Sequence, residues 1–362
     1  MAIVARRSQQ PKPVPERRTR SAGRPTLDQV AAHAGVGRGT VSRVINGSSQ
    51  VSVAAREAVK RAIDELGYVP NRAARALVTR RTDSVALVVS ESQERVFGEP
   101  FFAGIVRGIS SVLAETHLQL WLAMAQSPAD RLRLEHHLTS QYVDGVMLLS
   151  LHDADPLPVL LEQRALPTVL GGRPAHMVHP DIAEESYASY VDADNQGGAR
   201  TAVAHLLAGG RRRVAALAGP QDMAAGVARL DGYRDALREA GIGLDERLVE
   251  YGDFSEASGE AALRRVLTRC PDLDAVFAAS DLMAVGAMRA LRELGRRIPQ
   301  DTAVVGFEDA PIARQTDPPL TTVHQPVEEM GRQMARLLIA RMAGAPASTV
   351  VVSTHLVPRA SG

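Results

Sequence analysis

The chain has 362 residues, of which 45% are hydrophobic and 23% are charged, and its formal net charge is +1. This length exceeds what one ordinary hydrophobic core needs, so we expect a small domain and a larger region of two lobes. A single cysteine excludes an internal disulfide and favours a reducing compartment. Because the start of the chain lacks a secretory pattern and no apolar run could span a membrane, we expect a cytoplasmic protein.

The charges are distributed unevenly along the chain. Residues 1–81 contain 16 Lys or Arg against 5 Asp or Glu, whereas residues 82–362 contain 26 against 36. A basic end on an acidic body is typical of a protein that places one domain on phosphate and keeps the other away from it. Residues 1–25 are rich in Pro, Arg and Ser, and we expect them to form a disordered basic tail.

The residues after this tail predict three short helices. Thr26 and the glutamine three residues later form a capping-box pattern, and Gly35 supplies the left-handed position that ends the first helix. Gly37 is expected to open a second helix, and Ser52 to cap a third that runs to about residue 66. Two short helices on either side of Gly35 have the spacing of a helix-turn-helix that binds duplex DNA.

The second helix, RGTVSRVI, is the expected DNA-reading element because its apolar and polar residues lie on different faces. Arg43 is the strongest candidate for base recognition, since a guanidinium can bond both O6 and N7 of guanine. A phosphate contact or a solvated surface arginine is the alternative for Arg43. The headpiece residues expected to contact DNA are Thr26, Arg38, Gly39, Thr40, Ser42, Arg43 and Asn46.

Residues 71–82, NRAARALVTRRT, form an arginine-rich segment with one apolar leucine. A helix this short is marginal by itself in water, so we expect DNA binding to stabilise it. Two copies that meet over the minor groove could each insert Leu77 between base steps while the arginines hold phosphate. A plain linker helix is the alternative. The DNA-contacting candidates in this segment are Asn71, Arg72, Arg75 and Leu77.

From about residue 83 the pattern changes to apolar runs that alternate with amphipathic helical stretches. The runs are SVALVVS, LQLWLAM, DGVMLLS, PTVLGG, VAALAG, AVFAAS and TAVVGFE. Nearly continuous apolar strands alternating with helices predict parallel sheets covered on both faces, and the length fits two of them. Ligands of such folds bind beyond the carboxyl ends of the strands, which in a two-lobed protein means the cleft between the lobes.

Polar residues that directly follow these strands are therefore candidates for a ligand site. Aromatic residues are scarce, and Phe101, Phe102 and Tyr190 could each stack on a sugar ring or belong to the core. Trp121 lies inside a strand-like run, so we expect it in the core. The polar pairs that follow strands are Ser90 with Glu91, Asp194 with Asn195, Ser280 with Asp281, and Glu308 with Asp309.

Residues 26–358 resemble a bacterial transcription regulator of the lactose/galactose-repressor family. TLDQVAAHAGVGRGTVSRVING is similar to the family's headpiece, YVPNRAARAL to its hinge, and ARLDGYRDALREAGI and AVFAASDLMAVGAMRALRELGRRIPQDTAVVGFEDAP to its body. The resemblance implies a small all-α headpiece over residues 26–70, a hinge helix over 71–82, and an α/β region over 83–362. That region is implied to be like periplasmic binding proteins, with two parallel-sheet lobes.

The same resemblance implies a partner and a ligand. The partner is duplex DNA with a pseudo-palindromic operator, bound by a homodimer, and the ligand is a small-molecule effector, most naturally a carbohydrate, held between the lobes. Leu77 takes the place of the family's minor-groove wedge. Gly39 stands at a base-reading position, where it offers no side chain. Sequence specificity is therefore expected to depend more on Arg38 and Arg43.

Arg229 takes the place of the family's arginine that reaches the effector, with a surface salt bridge as the alternative. Asp281 matches a residue that faces the cleft, although it could instead cap its helix. Glu308 stands where many relatives have Asp, and Gly172 where several sugar-binding relatives have Asp, which weakens any specific sugar assignment. The effector-binding candidates are Ser90, Phe102, Asp194, Arg229, Ser280, Asp281 and Glu308.

Enzymatic interpretations find little support in the sequence. His176 and His179 lie in a predicted irregular loop without a supporting metal-binding helix, and neither a P-loop nor a GxSxG motif is present. We therefore expect no catalysis, no metal and no cofactor. The main alternative is a periplasmic-type solute-binding protein without a DNA function, which would require a secretory signal.

Overall fold

A computed structural model describes residues 25–45, 47–69, 81–125, 128–140, 142–152, 155–174 and 189–362. The described residues fall into two compact units, one within residues 1–80 and the other within residues 81–362. Among these residues, no helix combines the length and the apolar character that crossing a bilayer requires.

Within its described residues, the first unit contains three helices around a small core. They are α1 (Leu27–Ala34), α2 (Arg38–Ile45) and α3 (Val53–Leu66). The predicted capping box is present, because the Thr26 hydroxyl accepts a hydrogen bond from the backbone N–H of Gln29 and the Gln29 side chain accepts one from the backbone N–H of Thr26. Gly35 ends α1 with φ of 66°, in the left-handed region that glycine favours. Val30, Val41 and Val59 are fully buried.

The second unit has two lobes, and the residues that the structure describes form a six-stranded sheet in each of them. The N-terminal lobe has the strand order β11-β5-β4-β3-β1-β2, and all its strand pairs are parallel. Its elements are β1 (Ser84–Val89), α4 (Gln93–Gly98), α5 (Pro100–Leu113), β2 (Gln119–Met124), α6 (Pro128–Thr139), β3 (Gly145–Leu149), α7 (Leu157–Gln163), β4 (Thr168–Gly171), β5 (Ser189–Ala193), α12 (Val327–Met342) and β11 (Thr349–Val352).

The C-terminal lobe has the strand order β12-β10-β9-β8-β6-β7. Its strand pairs are parallel except for β10 with β12, which is antiparallel and departs from the expected all-parallel sheet. Its elements are α8 (Asn195–Ala208), β6 (Val214–Ala218), α9 (Ala224–Glu239), β7 (Val249–Tyr251), α10 (Glu256–Arg269), β8 (Ala275–Ala278), α11 (Asp281–Glu293), β9 (Ala303–Glu308), β10 (Thr321–His324) and β12 (His355–Val357), with short 3-10 helices at Glu246–Leu248 and Pro311–Arg314.

In the part of the chain that the structure describes, there are three crossings between the lobes. The chain leaves the N-terminal lobe between β5 and α8, returns between β10 and α12, and leaves again between β11 and β12. The first and third crossings are bonded to each other, because the backbone N–H of Asp194 donates to the Val352 carbonyl and the Thr354 hydroxyl donates to the Asp194 carbonyl. These crossings place the carboxyl ends of parallel strands from both sheets at the same cleft.

Candidate functional site

Two neighbouring cavities lie at the carboxyl ends of β9 and β10. One, which we call the cleft cavity, has a volume of about 80 Å³ and is lined by residues of both lobes. The other, the side cavity, has a volume of about 480 Å³ and is lined mainly by the beginnings of α5 and α12 and the end of β9. Phe101, Glu308 and Gln325 line both cavities. The two spaces therefore adjoin.

Arg229 on α9 is 3% exposed and lines the cleft cavity. Its Nε donates to Asn195 Oδ1 at 2.9 Å, and its Nη2 donates to Gln325 Oε1 at 2.9 Å. Asn195 and Gln325 belong to two different crossings between the lobes, so one guanidinium ties both crossings to α9. Its Cζ also lies 3.9 Å from the centre of the Phe307 ring, so the buried cation makes a cation–π contact with this ring.

Glu308 ends β9 with a side chain that is 19% exposed. Its Oε1 lies 3.8 Å from Nη1 of Arg229. Burial raises the pKa of Glu308 to about 7, against the attraction of Arg229. Its backbone has φ of 115°, a region that side chains other than glycine rarely adopt. The strained backbone and the partly buried carboxylate both mark this position as a functional candidate.

Asp192 adds a second buried carboxylate to the cleft cavity. It accepts a hydrogen bond from Arg173 Nε at 2.9 Å and another from Asn195 Nδ2 at 3.0 Å. Burial raises the pKa of Asp192, and Arg173 opposes this effect. The sequence interpretation missed Asp192, although a carboxylate inside the apolar run SYVDA was a usable signal. It also missed Gln325, because the strand before it was not predicted.

Three of the seven effector candidates line the cleft cavity, namely Phe102, Arg229 and Glu308. Ser90 does not, because its hydroxyl is buried and donates to Asp155 Oδ2 at 2.8 Å. Asp194 does not either, because its carboxylate caps α8 by accepting from the backbone N–H of Gly197. Each of these two side chains is engaged within the protein framework, so the structure does not bring them to the cleft cavity.

Ser280 and Asp281 are also engaged within the protein framework. Ser280 caps α11 by accepting from the backbone N–H of Met283, and its hydroxyl donates to the Phe254 carbonyl. Asp281 is fully buried and accepts hydrogen bonds from Thr322 and from the backbone N–H of Ala310. Neither residue lines the cleft cavity. Both side chains form hydrogen bonds within the C-terminal lobe.

The aromatic residues divide between the core, the cleft and the surface. Phe101 lines both cavities, whereas Tyr190 is buried in a core cluster of the N-terminal lobe. The prediction of a core Trp121 was wrong, because its side chain is 53% exposed on the edge strand β2. Its ring lies 5.8 Å from that of His137, which stacks at 4.6 Å on Tyr142.

The headpiece presents polar residues on α2 opposite its buried valine. Arg38, Gly39 and Arg43 are exposed, and Arg38 Nη1 lies 3.6 Å from Asp28 Oδ2. Thr26 is exposed at the start of α1, while Thr40 and Ser42 are partly buried. The remaining DNA-contact candidates, Asn46, Asn71, Arg72, Arg75 and Leu77, lie outside the described residues.

The described residues contain no cluster of three or more His, Cys, Asp and Glu side chains placed to hold a metal ion. His176 and His179, the two histidines considered as a metal pair, lie outside the described residues.

Comparison with known proteins places the chain in a family. Residues 26–71 match the model of the lacI family of bacterial regulatory proteins, and residues 203–362 match that of the periplasmic binding protein-like domain. The HTH-type transcriptional regulator CelR of Thermobifida fusca is 58% identical over 341 residues, which are 94% of this chain and 98% of that protein.

Two solved structures are also similar to this chain. A transcriptional regulator CelR–cellobiose complex matches with a TM-score of 0.75 and 56% identity, covering 94% of this chain and 100% of that chain. A lac repressor dimer bound to operator and the anti-inducer ONPF matches with a TM-score of 0.80 and 28% identity, covering 94% and 99%. The chain therefore belongs to the lacI family of bacterial regulatory proteins and is a DNA-binding transcription regulator.

Proposed function

We propose that the chain is a repressor that binds a pseudo-palindromic operator as a homodimer and responds to a sugar held between its lobes. In this proposal residues 1–25 are a basic tail, 26–70 the DNA-binding headpiece, 71–82 the hinge helix and 83–362 the effector-binding and dimerisation region. Two-fold symmetry would place two α2 helices in successive major grooves and two hinge helices at the operator centre.

The observation that carries the effector assignment is the buried guanidinium of Arg229 in the wall of the cleft cavity. A guanidinium has five N–H donors, and three of those on Arg229 are engaged by Asn195, Ala279 and Gln325. The remaining donors suit the hydroxyl oxygens of a sugar, and the carboxylates of Asp192 and Glu308 suit its hydroxyl protons. Rings such as Phe101 can cover the apolar face of a pyranose.

We propose cellobiose, or a closely related disaccharide, as the effector. A relative that is 56% identical was solved as a complex with cellobiose. The cleft cavity alone, at about 80 Å³, is smaller than the roughly 300–1,000 Å³ typical of ligand sites, whereas the side cavity of about 480 Å³ lies within that range. A ligand of two sugar rings would occupy both.

The effector would act by favouring one relative orientation of the lobes. The crossings between the lobes run through Asn195 and Gln325, and Arg229 bonds to both. A sugar that binds Arg229 therefore contacts the residue that links the crossings. The changed orientation would then permit or prevent the folding of the paired hinge helices on DNA.

We further propose that the chain is not an enzyme and that it acts in the cytoplasm. The regulatory function of its relatives supports both statements. A solute-binding protein without a DNA function is the alternative from another class, and the lacI-family headpiece at residues 26–71 disfavours it. Incubation with cellobiose should release no glucose.

The test begins with selection of a duplex from a random pool by the full-length protein. Fluorescence anisotropy of the selected duplex is then measured with cellobiose, glucose or ribose present. We expect cellobiose to change operator affinity at least tenfold and ribose to leave it unchanged. If no duplex binds better than random competitor, the DNA function is contradicted, and if no sugar changes the affinity, the effector assignment is contradicted.

Arg229→Ala tests the site directly. We expect this variant to lose the cellobiose response while its operator affinity without sugar stays within about tenfold of the wild type, or 1.4 kcal/mol. A thermal melt of the same sample establishes that the variant is folded. An intact cellobiose response in a folded Arg229→Ala protein would remove the residue from the effector site.

A further inference from the structure

A hydrogen bond joins the two lobes across the cleft. His152 follows β3 in the N-terminal lobe, and Asp222 follows β6 in the C-terminal lobe. The Nδ1 atom of His152 lies 2.7 Å from Asp222 Oδ2. Neither residue lines the cleft cavity, so this contact is separate from the groups expected to hold the ligand.

Glu91 faces the other nitrogen of the same imidazole. Its carboxylate is 7% exposed, and its Oε2 lies 2.7 Å from Nη1 of Arg95. Its Oε1 is buried without a hydrogen-bond partner among the described residues, and it lies 4.0 Å from His152 Nε2. Burial also raises the pKa of Glu91, against the attraction of Arg95 and His152. A buried acceptor that lacks a partner is costly, so a donor at this position is stabilising.

Histidine can serve both carboxylates only when it is protonated. A neutral imidazole donates from one nitrogen, whereas an imidazolium donates from both. The charged form of His152 can therefore bond Asp222 through Nδ1 and, after a small approach, Glu91 through Nε2. Histidine is the side chain that ordinarily changes charge between pH 5 and 8.

We propose that His152 latches the effector cleft by bridging Glu91 of the N-terminal lobe and Asp222 of the C-terminal lobe, and that its protonation slows release of the ligand. The proposal rests on the proposed function, because it concerns closure of the cavity assigned there to the effector. Among the described residues, the charged groups around the latch are Glu91, Glu99, Asp155, Asp222, Asp253 and Arg95.

Taken together, the charged groups around the latch favour contact between the two lobes. Arg95 repels an imidazolium, but it is paired with Glu91 and with Glu99, whose Oε1 lies 2.7 Å from its Nε. Arg95 also attracts Asp253, which belongs to the C-terminal lobe. The rim of the N-terminal lobe therefore presents an arginine and a histidine to two aspartates of the other lobe.

The contact itself is tested without ligand. Thermal unfolding of full-length wild type, His152→Ala, Asp222→Asn and the double variant forms a cycle that is measured at pH 6 and pH 8. We expect the loss of Tm in the double variant to be smaller than the sum of the single losses at pH 6, and nearly additive at pH 8. Additive losses at both pH values would overturn the latch.

The functional consequence is tested by stopped-flow release of cellobiose, with each variant normalised to the wild type at the same pH. His152→Ala and Asp222→Asn should each release the sugar about threefold to tenfold faster at pH 6, with little change at pH 8. Asp272→Asn is the matched control, because it removes an exposed carboxylate of the same lobe that pairs with Arg213 instead.

The outcomes separate the latch from the proposed function. If the wild type does not bind cellobiose, the effector assignment is wrong and the unfolding cycle alone decides the latch. If the wild type binds cellobiose and both variants release it at the wild-type rate at pH 6, the latch is overturned while the effector assignment stands. Equal acceleration by Asp272→Asn would also overturn it, because the effect would then be a general one of charge.

Discussion

The carboxylate of Glu308 lies in an environment that disfavours its charge, so its ionisation makes the stability of the protein depend on pH. Its pKa is raised from 4.5 to about 7 in the folded protein. Between these values the folded state keeps a proton that the unfolded state has lost, so rising pH costs stability. We expect Glu308→Gln, which cannot ionise, to become more stable than the wild type as pH rises from 5 to 8, by at most about 3 kcal/mol. Urea unfolding at each pH measures the difference.

Glu329→Gln is the control, and its effect on stability should depend on pH in the opposite direction. Hydrogen bonds from Arg332 and Gln333 lower the pKa of Glu329, so this carboxylate contributes stability at neutral pH that is lost as pH falls. The Glu329→Gln protein should therefore be less stable than the wild type at pH 8, and the deficit should shrink in acid. A Glu308→Gln protein with the same trend as Glu329→Gln would contradict the assignment for Glu308.

Arg43 is the residue that most directly tests recognition of bases. It is exposed on α2, whose opposite face buries Val41. We expect Arg43→Ala to lose about 1–3 kcal/mol of preference at one base pair of each half-site, because a bidentate contact to guanine disappears. Binding to a panel of single-base operator variants measures this preference. Arg61→Ala is the control, because Arg61 is an exposed arginine on α3. A uniform loss of affinity across the panel for Arg43→Ala would mean that Arg43 contacts phosphate instead of a base.

The candidate site was predictable where the resemblance to the family supplied a position. Arg229, carried over from that resemblance, lines the cleft cavity. Ser280 and Asp281 were placed at the correct strand end, but serine and aspartate at helix starts also cap backbone N–H groups, and these two side chains are engaged in the framework. Sequence position alone does not separate the two uses, because both occur at the same strand-to-helix junction.

At the scale of elements, helices approach closely through glycine. Gly286 on α11 faces α10, and a Cβ added there would lie 2.0 Å from the Glu256 carbonyl oxygen and 2.8 Å from the Glu260 nitrogen. Alanine normally stabilises a helix by up to about 1 kcal/mol over glycine. Where α10 and α11 pack together we expect the opposite effect. Gly286→Ala should destabilise the protein by about 1–3 kcal/mol, because backbone atoms must move.

Gly243→Ala is the matched control, because nothing lies within 4 Å of a Cβ added there and the position lies in the same lobe. Thermal unfolding compares the two variants. A Gly286→Ala protein as stable as Gly243→Ala would mean that α10 and α11 can separate without cost, contrary to the tight crossing in the structure.

The strands show what periodicity can and cannot predict. β1, β3 and β9 were expected because each is a continuous apolar run that is almost entirely buried. β5 was implied only by the polar pair that follows it, because Asp192 interrupts its apolar run, and β12 was missed because three residues carry too little pattern. The crossings between lobes depend on contacts between distant segments, such as Asp194 with Val352, which no local pattern encodes.

At the scale of the whole molecule, the charges separate the two proposed activities. Residues 1–81 carry the excess of Lys and Arg, whereas the remainder carries an excess of Asp and Glu. Binding to DNA releases counterions in proportion to the number of phosphates contacted, and a dimer that contacts 6–10 phosphates loses roughly 10³–10⁵ in affinity between 50 and 200 mM salt. The sugar carries no charge, so its binding should release few ions.

We therefore expect operator affinity to fall by roughly a thousandfold or more between 50 and 200 mM salt, with a linear dependence of log affinity on log salt. Affinity for cellobiose, measured by calorimetry on the same protein, should change by less than about twofold, because Arg229 is buried and screening acts weakly on buried charges. A flat salt dependence of operator binding would show that the basic segment does not lie on phosphate. A steep dependence of cellobiose binding would instead place the sugar among exposed, screened charges rather than in the cleft cavity.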